Sequence, residues 1–342
     1  MRVGIIGATG YGGGELVRLL SRHPSARLVG LQSRGRDGVP IAASHPHLAS
    51  TGLEIGAGLP DDLDAVFLGL PHGVAAELVP ELAERGVTII DLGPDFRLHD
   101  PADYPRWYGF SHPRPDLLAG AVYALPELHR DALVALRDAS VRIAASPGCY
   151  STAAILALAP LARAGLLDDV VIDAKSGVSG AGREPKPEMQ FGEVNESVRA
   201  YGVGGHRHLA EMEQELTGVA PAKLDPLDFV PHLIPMTRGI LATCHVRPAR
   251  EVSQAELDEL YGDAYSNERF VEVVDSPPAT KHVLGSNTFR VHVHHDARGG
   301  RVLVLGVLDN LVKGAAGQAV QAFNVLFGLP EATGLEQLPL AP

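Results

Sequence analysis

The chain has 342 residues, 45% of them hydrophobic and 20% charged, and a formal net charge of −12. That length exceeds one typical core and predicts two domains, while the acidic balance argues against nucleic-acid binding, which needs basic patches. No apolar run approaches the roughly 20 residues that span a bilayer, and the two cysteines, Cys149 and Cys244, are too few for a disulfide framework. With no signal peptide to be read after Met1, the expectation is a cytoplasmic protein without membrane or nucleic-acid partners.

Residues 1–14, MRVGIIGATGYGGG, read as a buried strand, a glycine turn and a helix start. The helix is expected over Glu15–His23, with Pro24 ending it and a second strand over Ala26–Leu31. Gly7, Gly10 and Gly13 recur every third residue, which lets backbone approach a pyrophosphate at a helix N-terminus. The alternative is a glycine turn with no ligand. The second strand ends in Ser33-Arg34-Gly35-Arg36, where an NAD-preferring fold places Asp or Glu for the ribose. Ser33, Arg34 and Arg36 suit a 2′-phosphate instead, so NADP(H) is the expected cofactor; otherwise this is a solvated basic loop.

Residues 64–91 repeat the unit, with a strand over 65–70, a helix over 74–85 stopped by Gly86, and a strand over 87–91. Such alternation marks a parallel, doubly wound sheet. Leu70-Pro71-His72-Gly73 ends a strand at the carboxyl edge, where His72 could touch a cofactor or simply belong to a helix-entry loop. Asp91–Leu125 is rich in Pro and aromatics, lacks helical periodicity, and reads as an ordered loop. In it Arg97 and Arg106 could bind an anionic substrate or form structural pairs.

The stretch 144–165, AASPGCYSTAAILALAPLARAG, is the most informative. A strand meets Ser146-Pro147-Gly148, then an apolar helix is expected from Cys149 to Ala164 with Gly165 as its stop. Cys149 then sits in the first turn, where unpaired N–H groups and the positive dipole end favour a thiolate nucleophile; the alternative is a buried, inert Cys serving as a small hydrophobe. Those amides could also hold an oxyanion. Cys244, inside the run Ile240–Thr243, reads as a packed strand residue.

Beyond it, a strand over 170–174 leads to Lys175–Arg183, KSGVSGAGR, which reads either as a mobile lid or as a linker. Tyr201–Glu211, YGVGGHRHLAE, opens a helix with Leu209, Met212 and Leu216 on one face. Two histidines two apart share no helix face, so a general acid/base fits better than a metal; backbone-bonded histidines are the other possibility. Glu211 could orient a nearby His or Arg. The remainder reads as strands over 229–234 and 239–246, a helix capped by Ser253 running to Tyr265, a hairpin over 288–307, and a final helix through Ala315, Ala319, Ala322 and Leu326. His292 and His294 share a strand face, but no further ligand recurs at metal spacing, and no metal is expected.

Taken together, SPGCYSTAAILAL, SGVSGAGR, GGHRHLAE, RGILATC, DNLVKGAAGQAVQAFN and the opening GATGYGGGELVRLL resemble the N-acetyl-γ-glutamyl-phosphate reductases of arginine biosynthesis, in order and over essentially the whole chain. The resemblance implies an α/β fold, a Rossmann doubly wound parallel sheet plus a second α+β domain with a mixed sheet. It also implies that the C-terminal helix packs back on the first domain, giving domains 1–146 with 310–342, and 147–309. It makes Cys149 the nucleophile and His206, the first His of H-R-H, the acid/base. The implied reaction is NADPH-dependent reduction of an acyl phosphate to a semialdehyde through a Cys149 thioester. A sister reductase acting on carrier-linked aminoadipyl or glutamyl phosphate in lysine biosynthesis is the alternative; Tyr150 after the Cys and the intact SGVSGAGR speak against it.

Cofactor contacts are assigned to Gly7, Thr9, Gly10, Tyr11, Gly12, Gly13, Ser33, Arg34, Leu70, Pro71, His72, Ser176, Gly177 and Asn310. Substrate contacts are assigned to Ser146, Arg97, Arg106, Arg183, Arg207 and Glu211. A homo-oligomer, dimer or tetramer, is expected.

Overall fold

A computed structural model describes residues 1–341, in two compact units. The first comprises 1–147 and 315–337; the second comprises 148–314 and, among the described residues, 338–341. The C-terminal helix Gly317–Leu326 thus belongs with the N-terminal residues, whereas 310–314 and 338–341 belong with the second unit.

The first unit is built on strands β1 (Arg2–Ile6), β2 (Arg27–Gln32), β3 (Ala65–Leu68), β4 (Thr88–Asp91), β5 (Val122–Tyr123) and β6 (Ile143–Ala145). They form one parallel sheet in the order β2-β1-β3-β4-β6-β5. Strands β3 and β4 are buried along their whole length, as expected of strands covered on both faces, which carry no polar alternation. Because β1 is flanked by β2 and β3, the chain reverses its winding there, and ligands bind at the carboxyl ends of such switch points.

The first helix, Tyr11–Leu20, starts four residues before the expected Glu15 and ends three before His23. Gly10 serves as its N-cap in extended conformation, so the turn glycines are themselves helical. The stretch 91–125 is ordered, as expected, yet holds short helices at Asp103–Trp107 and Pro115–Leu118 and the two-residue edge strand β5. It is held by Tyr104, fully buried, whose hydroxyl donates to the Asp95 carbonyl at 2.7 Å, and by His112 Nε2 on the same carbonyl at 2.7 Å. In Gly317–Leu326 all ten residues are buried. Its three amides donate inside the unit: Gln318 to the Ala124 carbonyl, Gln321 to the Glu127 carboxylate, and Asn324 to the carbonyls of Glu331 and Thr333.

The second unit contributes β7 (Leu167–Ser176), β8 (Arg199–Ala200), β9 (Asp228–Leu233), β10 (Ile240–Pro248), β11 (Val271–Val273), β12 (Phe289–Asp296) and β13 (Arg301–Leu308). They form a mixed sheet, β11-β12-β13-β10-β7-β9-β8, antiparallel through its centre. Helix Cys149–Arg163 lies on one face against β10 and β13, beside helix His208–Val219. The strands alternate accordingly: Ile172, Ala174, Ala242, Cys244, Val302 and Val304 are buried, while Val171, Leu241, Thr243, Leu303 and Leu305 on the other face are half-buried. Cys244 is a core residue as expected, its thiol pushed up to about 12 by burial.

Candidate active site

In the second unit the nucleophile turn is assembled around one glycine. Gly148 is the extended N-cap of helix Cys149–Arg163, and its carbonyl accepts from Thr152 N at 2.8 Å to close the first turn. Its own N–H donates to Glu211 Oε2 at 2.9 Å, and Glu211 is fully buried. On its other side stands the His208 ring: a Cβ on Gly148 would lie 2.5 Å from His208 Nε2, so only glycine fits. His208 and Glu211 are three residues apart on one helix and share a face. Cys149 is half-buried at the first helical position, where the amides of the opening turn have no intrahelical acceptor.

His206, just before helix His208–Val219, sits within a ring of aromatic side chains. Ring centres of Phe229, Tyr150 and Tyr201 lie 5.4, 5.7 and 5.7 Å away, and that of His208 at 4.8 Å. Burial, aided by the Arg207 charge, lowers its pKa to about 4, so the ring is neutral at pH 7. His206 Nδ1 accepts from His208 N at 3.2 Å, which leaves the proton on Nε2. A neutral Nε2–H can donate to an oxygen that gains negative charge. The Tyr201 hydroxyl donates to that of Tyr150 at 3.1 Å, and burial raises both phenols above their usual value. Tyr201 and Phe229 were not singled out from the sequence. Tyr201 had a local signal, an aromatic at the head of YGVGGHRH; Phe229 had none, since only strand pairing brings β9 here.

The other assigned residues of this unit divide. Glu211, assigned to the substrate, is enclosed and holds Gly148. Asn310 is 2% exposed, with Oδ1 accepting from Gly239 N at 2.7 Å and Nδ2 donating to Ser179 Oγ at 2.9 Å, so its amide ties two loops of the unit. Ser176 is buried and bonds the Gly177 carbonyl and the Tyr150 hydroxyl. Gly177, Val178 and Ser179 donate to the carbonyls of Gly239, Met236 and Thr237, so this start of KSGVSGAGR is anchored, neither a lid nor a loose linker. Arg183 and Arg207 are exposed.

In the first unit the glycine turn follows β1. Gly7 has φ +91°, and a Cβ there would collide with the Gly69 carbonyl; one on Gly13 would collide with the Gly7 carbonyl and lie 2.7 Å from Ala8 Cα. Gly12 faces open space, and Tyr11 is 40% exposed. The first turn carries no acidic residue of its own, so the N-terminus stays open to an anion. Thr9 Oγ1 and Ser33 Oγ lie 2.6 Å apart, joining the turn to the end of β2, and Arg34 next to them is exposed.

Pro71 and His72 are exposed, Leu70 is half-buried, and the His72 ring stands edge-on to Tyr108, 5.7 Å between centres. That loop is fixed by Asp95, fully buried, whose carboxylate accepts from Gly73 N at 2.9 Å and Ala76 N at 3.0 Å and so caps helix Val74–Glu84. Sequence reasoning missed Asp95, because a cap 22 residues away leaves no local pattern. Arg97 is 7% exposed and donates to the Leu92 carbonyl at 2.7 Å, which braces its own loop. Arg106 is exposed, stacked 4.7 Å over Trp107. Ser146 is fully buried, its N–H on the Asp91 carbonyl at 2.7 Å and its hydroxyl without a partner.

Two family models match the chain: a semialdehyde dehydrogenase NAD binding domain over residues 2–136 and a semialdehyde dehydrogenase dimerisation domain over residues 149–310. Similar curated proteins are the N-acetyl-gamma-glutamyl-phosphate reductases of Laribacter hongkongensis, 47% identical over all of both chains, and of Desulforudis audaxviator, 49% identical over 98% of each. The chain belongs to the N-acetyl-γ-glutamyl-phosphate reductase family. Among solved structures, a probable aspartate-semialdehyde dehydrogenase from Pseudomonas aeruginosa superposes with a TM-score of 0.71 at 21% identity, over 96% of this chain and 98% of that one. The aspartate semialdehyde dehydrogenase of Candida albicans with NADP gives 0.70 at 15%, over 95% and 98%. At that identity they show the fold of the reductase alone. No helix among the described residues is long and apolar enough to cross a membrane.

Proposed function

We propose that this chain reduces N-acetyl-γ-glutamyl phosphate with NADPH to N-acetylglutamate 5-semialdehyde and phosphate. The observation that carries the reading is the full-length 47–49% identity to reductases of that name, with the half-buried Cys149 at a helix N-terminus. Cys149 attacks the acyl phosphate as a thiolate; the C–O bond to phosphate breaks and the thioester remains on Sγ. The first-turn amides and His206 Nε2–H donate to the carbonyl oxygen as it becomes an oxyanion. Hydride addition leaves the thiohemiacetal oxyanion on the same donors, and its collapse breaks the C–S bond, so that the semialdehyde leaves and the thiolate returns. NADPH, when bound, supplies the hydride.

The first unit fits this cofactor. The cradle at Gly7 and Gly13 admits no Cβ, the helix N-terminus beyond Gly10 is open, and Thr9, Ser33 and Arg34 offer donors to a 2′-phosphate. With both cysteines free thiols, a reducing cytoplasm suits the chain. We assign a homo-oligomer, dimer or tetramer, in which the half-buried sheet face carrying Val171, Leu241, Leu303 and Leu305 meets a second copy.

The deciding assay is phosphate-dependent NADP reduction with N-acetylglutamate semialdehyde, run beside aspartate semialdehyde. Turnover of the free N-acetylated substrate is expected. No turnover with it, but activity once a carrier protein occupies the amino group, would move the chain to the lysine-type reaction.

A further inference from the structure

Where the chain leaves the second unit it makes a π-helical turn, Val312–Ala316. Such turns are rare and concentrate at functional sites, because the extra residue re-aims the backbone. This one hangs from Asp309, which is fully buried. Asp309 Oδ1 accepts from the N–H groups of Leu311 and Val312 at 2.9 and 3.3 Å. Its Oδ2 accepts from Gly285 N at 2.8 Å, with the Arg238 guanidinium 3.6 Å away. Gly314 N then donates to the Asp309 carbonyl at 3.0 Å, the i to i+5 bond of a π-turn. Lys313, fully enclosed, places its ammonium 5.6 Å from the Phe270 ring centre.

These ties fix Gly314 against the nucleophile. A Cβ on Gly314 would stand 2.8 Å from Cys149 Cβ, 3.3 Å from its Cα and 3.2 Å from Leu308 Cδ1. Leu308 can rotate away, whereas Cys149 Cα and Cβ belong to the first turn of a buried helix. His208 and Glu211 also close on Gly148, the residue before Cys149. Close contacts at both Gly148 and Gly314 therefore limit how far Cys149 can shift.

We propose that the Asp309–Gly314 turn is a positioning element for Cys149, with Gly314 as the contact that sets where the thiol stands and Asp309 as its anchor. The proposal rests on Cys149 being the nucleophile. A side chain at 314 moves Cys149 by a fraction of an ångström to an ångström, and misplacement on that scale costs about 10²-fold in rate. The glycine turn of the first unit is untouched by it.

The test uses Gly314→Ala in the full chain, with Gly262→Ala, a helical glycine facing open space, as the control. Three quantities are read: NADPH dissociation constant, kcat, and the rate of Cys149 alkylation by iodoacetamide against pH. Cys244 is fully buried and does not compete. For Gly314→Ala the expected result is an NADPH constant within twofold of wild type, kcat down about 100-fold, and alkylation slowed at least tenfold with a shifted pH profile. Gly262→Ala keeps all three. A folded Gly314→Ala with kcat and alkylation within twofold of wild type overturns the proposal, and does so without touching the parent reading if Cys149→Ser is inactive. Should Gly314→Ala not fold, Cys149→Gly/Gly314→Ala removes the opposing Cβ: recovery of the folded state supports the contact, and failure to recover overturns it.

Discussion

The molecule contains the same local device twice, a strand that ends in glycines and opens a helix, and the two copies are finished differently. At Gly7–Gly13 the helix N-terminus is left open: Gly12 faces open space and Tyr11 is 40% exposed. At Gly148–Cys149 the cap residue itself is clamped, with Glu211 on the Gly148 amide and His208 against its Cα. An open terminus offers amides and a positive dipole end to an anion arriving from solvent. A clamped cap holds the first helical side chain in a fixed place. The same turn thus serves binding in one unit and chemistry in the other, and neighbours distant in sequence decide which.

Cys149→Ser tests the clamped turn most severely. A hydroxyl there stays protonated, so turnover is expected to fall at least about 10³-fold, with fold and NADPH affinity retained. Steady-state kinetics with N-acetylglutamate semialdehyde measures this, and activity within tenfold of wild type would sink the covalent route.

The two histidines separate next. His206→Asn should lower kcat about 10²- to 10⁴-fold with little change in melting temperature, since the ring donates from Nε2. His208→Asn leaves a gap against Gly148, so its effect is expected chiefly on melting temperature, with the smaller loss of kcat. The opposite order would mean that the acid is His208.

On the open turn, Gly13→Ala forces backbone apart and should weaken NADPH at least tenfold by fluorescence titration, because its Cβ meets the Gly7 carbonyl and Ala8 Cα. Gly12→Ala meets nothing and should cost clearly less. Equal losses would show that the cofactor itself approaches both positions, and would remove the argument that Gly13 acts through the fold of the turn.

Both turns were legible in the sequence because each is local: an apolar run, glycines at fixed offsets, then a helical stretch. What finishes them was not. Glu211 reads as an orienter of a nearby His or Arg, or as a substrate contact, until the fold brings it to the Gly148 amide, and Asp95 caps a helix that begins 21 residues before it. Strand β7 begins at Leu167, through Asp168 and Asp169, because pairing with β10 overrides their weak strand propensity. Strand β5 has two residues and no period to detect. Arg97 is a further case: a cation in a Pro-rich loop gives no sequence sign of the Leu92 carbonyl to which it donates.

The smallest effect concerns Asp91, at the carboxyl end of β4. It is fully buried, with Oδ1 accepting from Gly93 N at 2.8 Å and Oδ2 without a partner. Burial, with the nearby Asp95 charge, raises its pKa from 3.8 to about 7, against the weaker pull of Gly93 N and Arg97. The folded state therefore binds more protons than the unfolded chain between pH 4 and 7. Stability from this group is present below about pH 4 and is lost as pH rises through 7, by up to about 1.4 kcal/mol per pH unit. His206 acts with the opposite sign: its pKa falls from 6.5 to about 4, so its contribution falls as pH drops through that window. The two slopes offset each other in the whole protein, and the difference between variants is what reads Asp91. Asp91→Asn keeps the acceptor for Gly93 and cannot titrate. Its stability relative to wild type should rise steadily from pH 4.5 to 7.5 in urea unfolding, then level. A difference that stays constant across that range would mean Asp91 keeps its charge in the folded state.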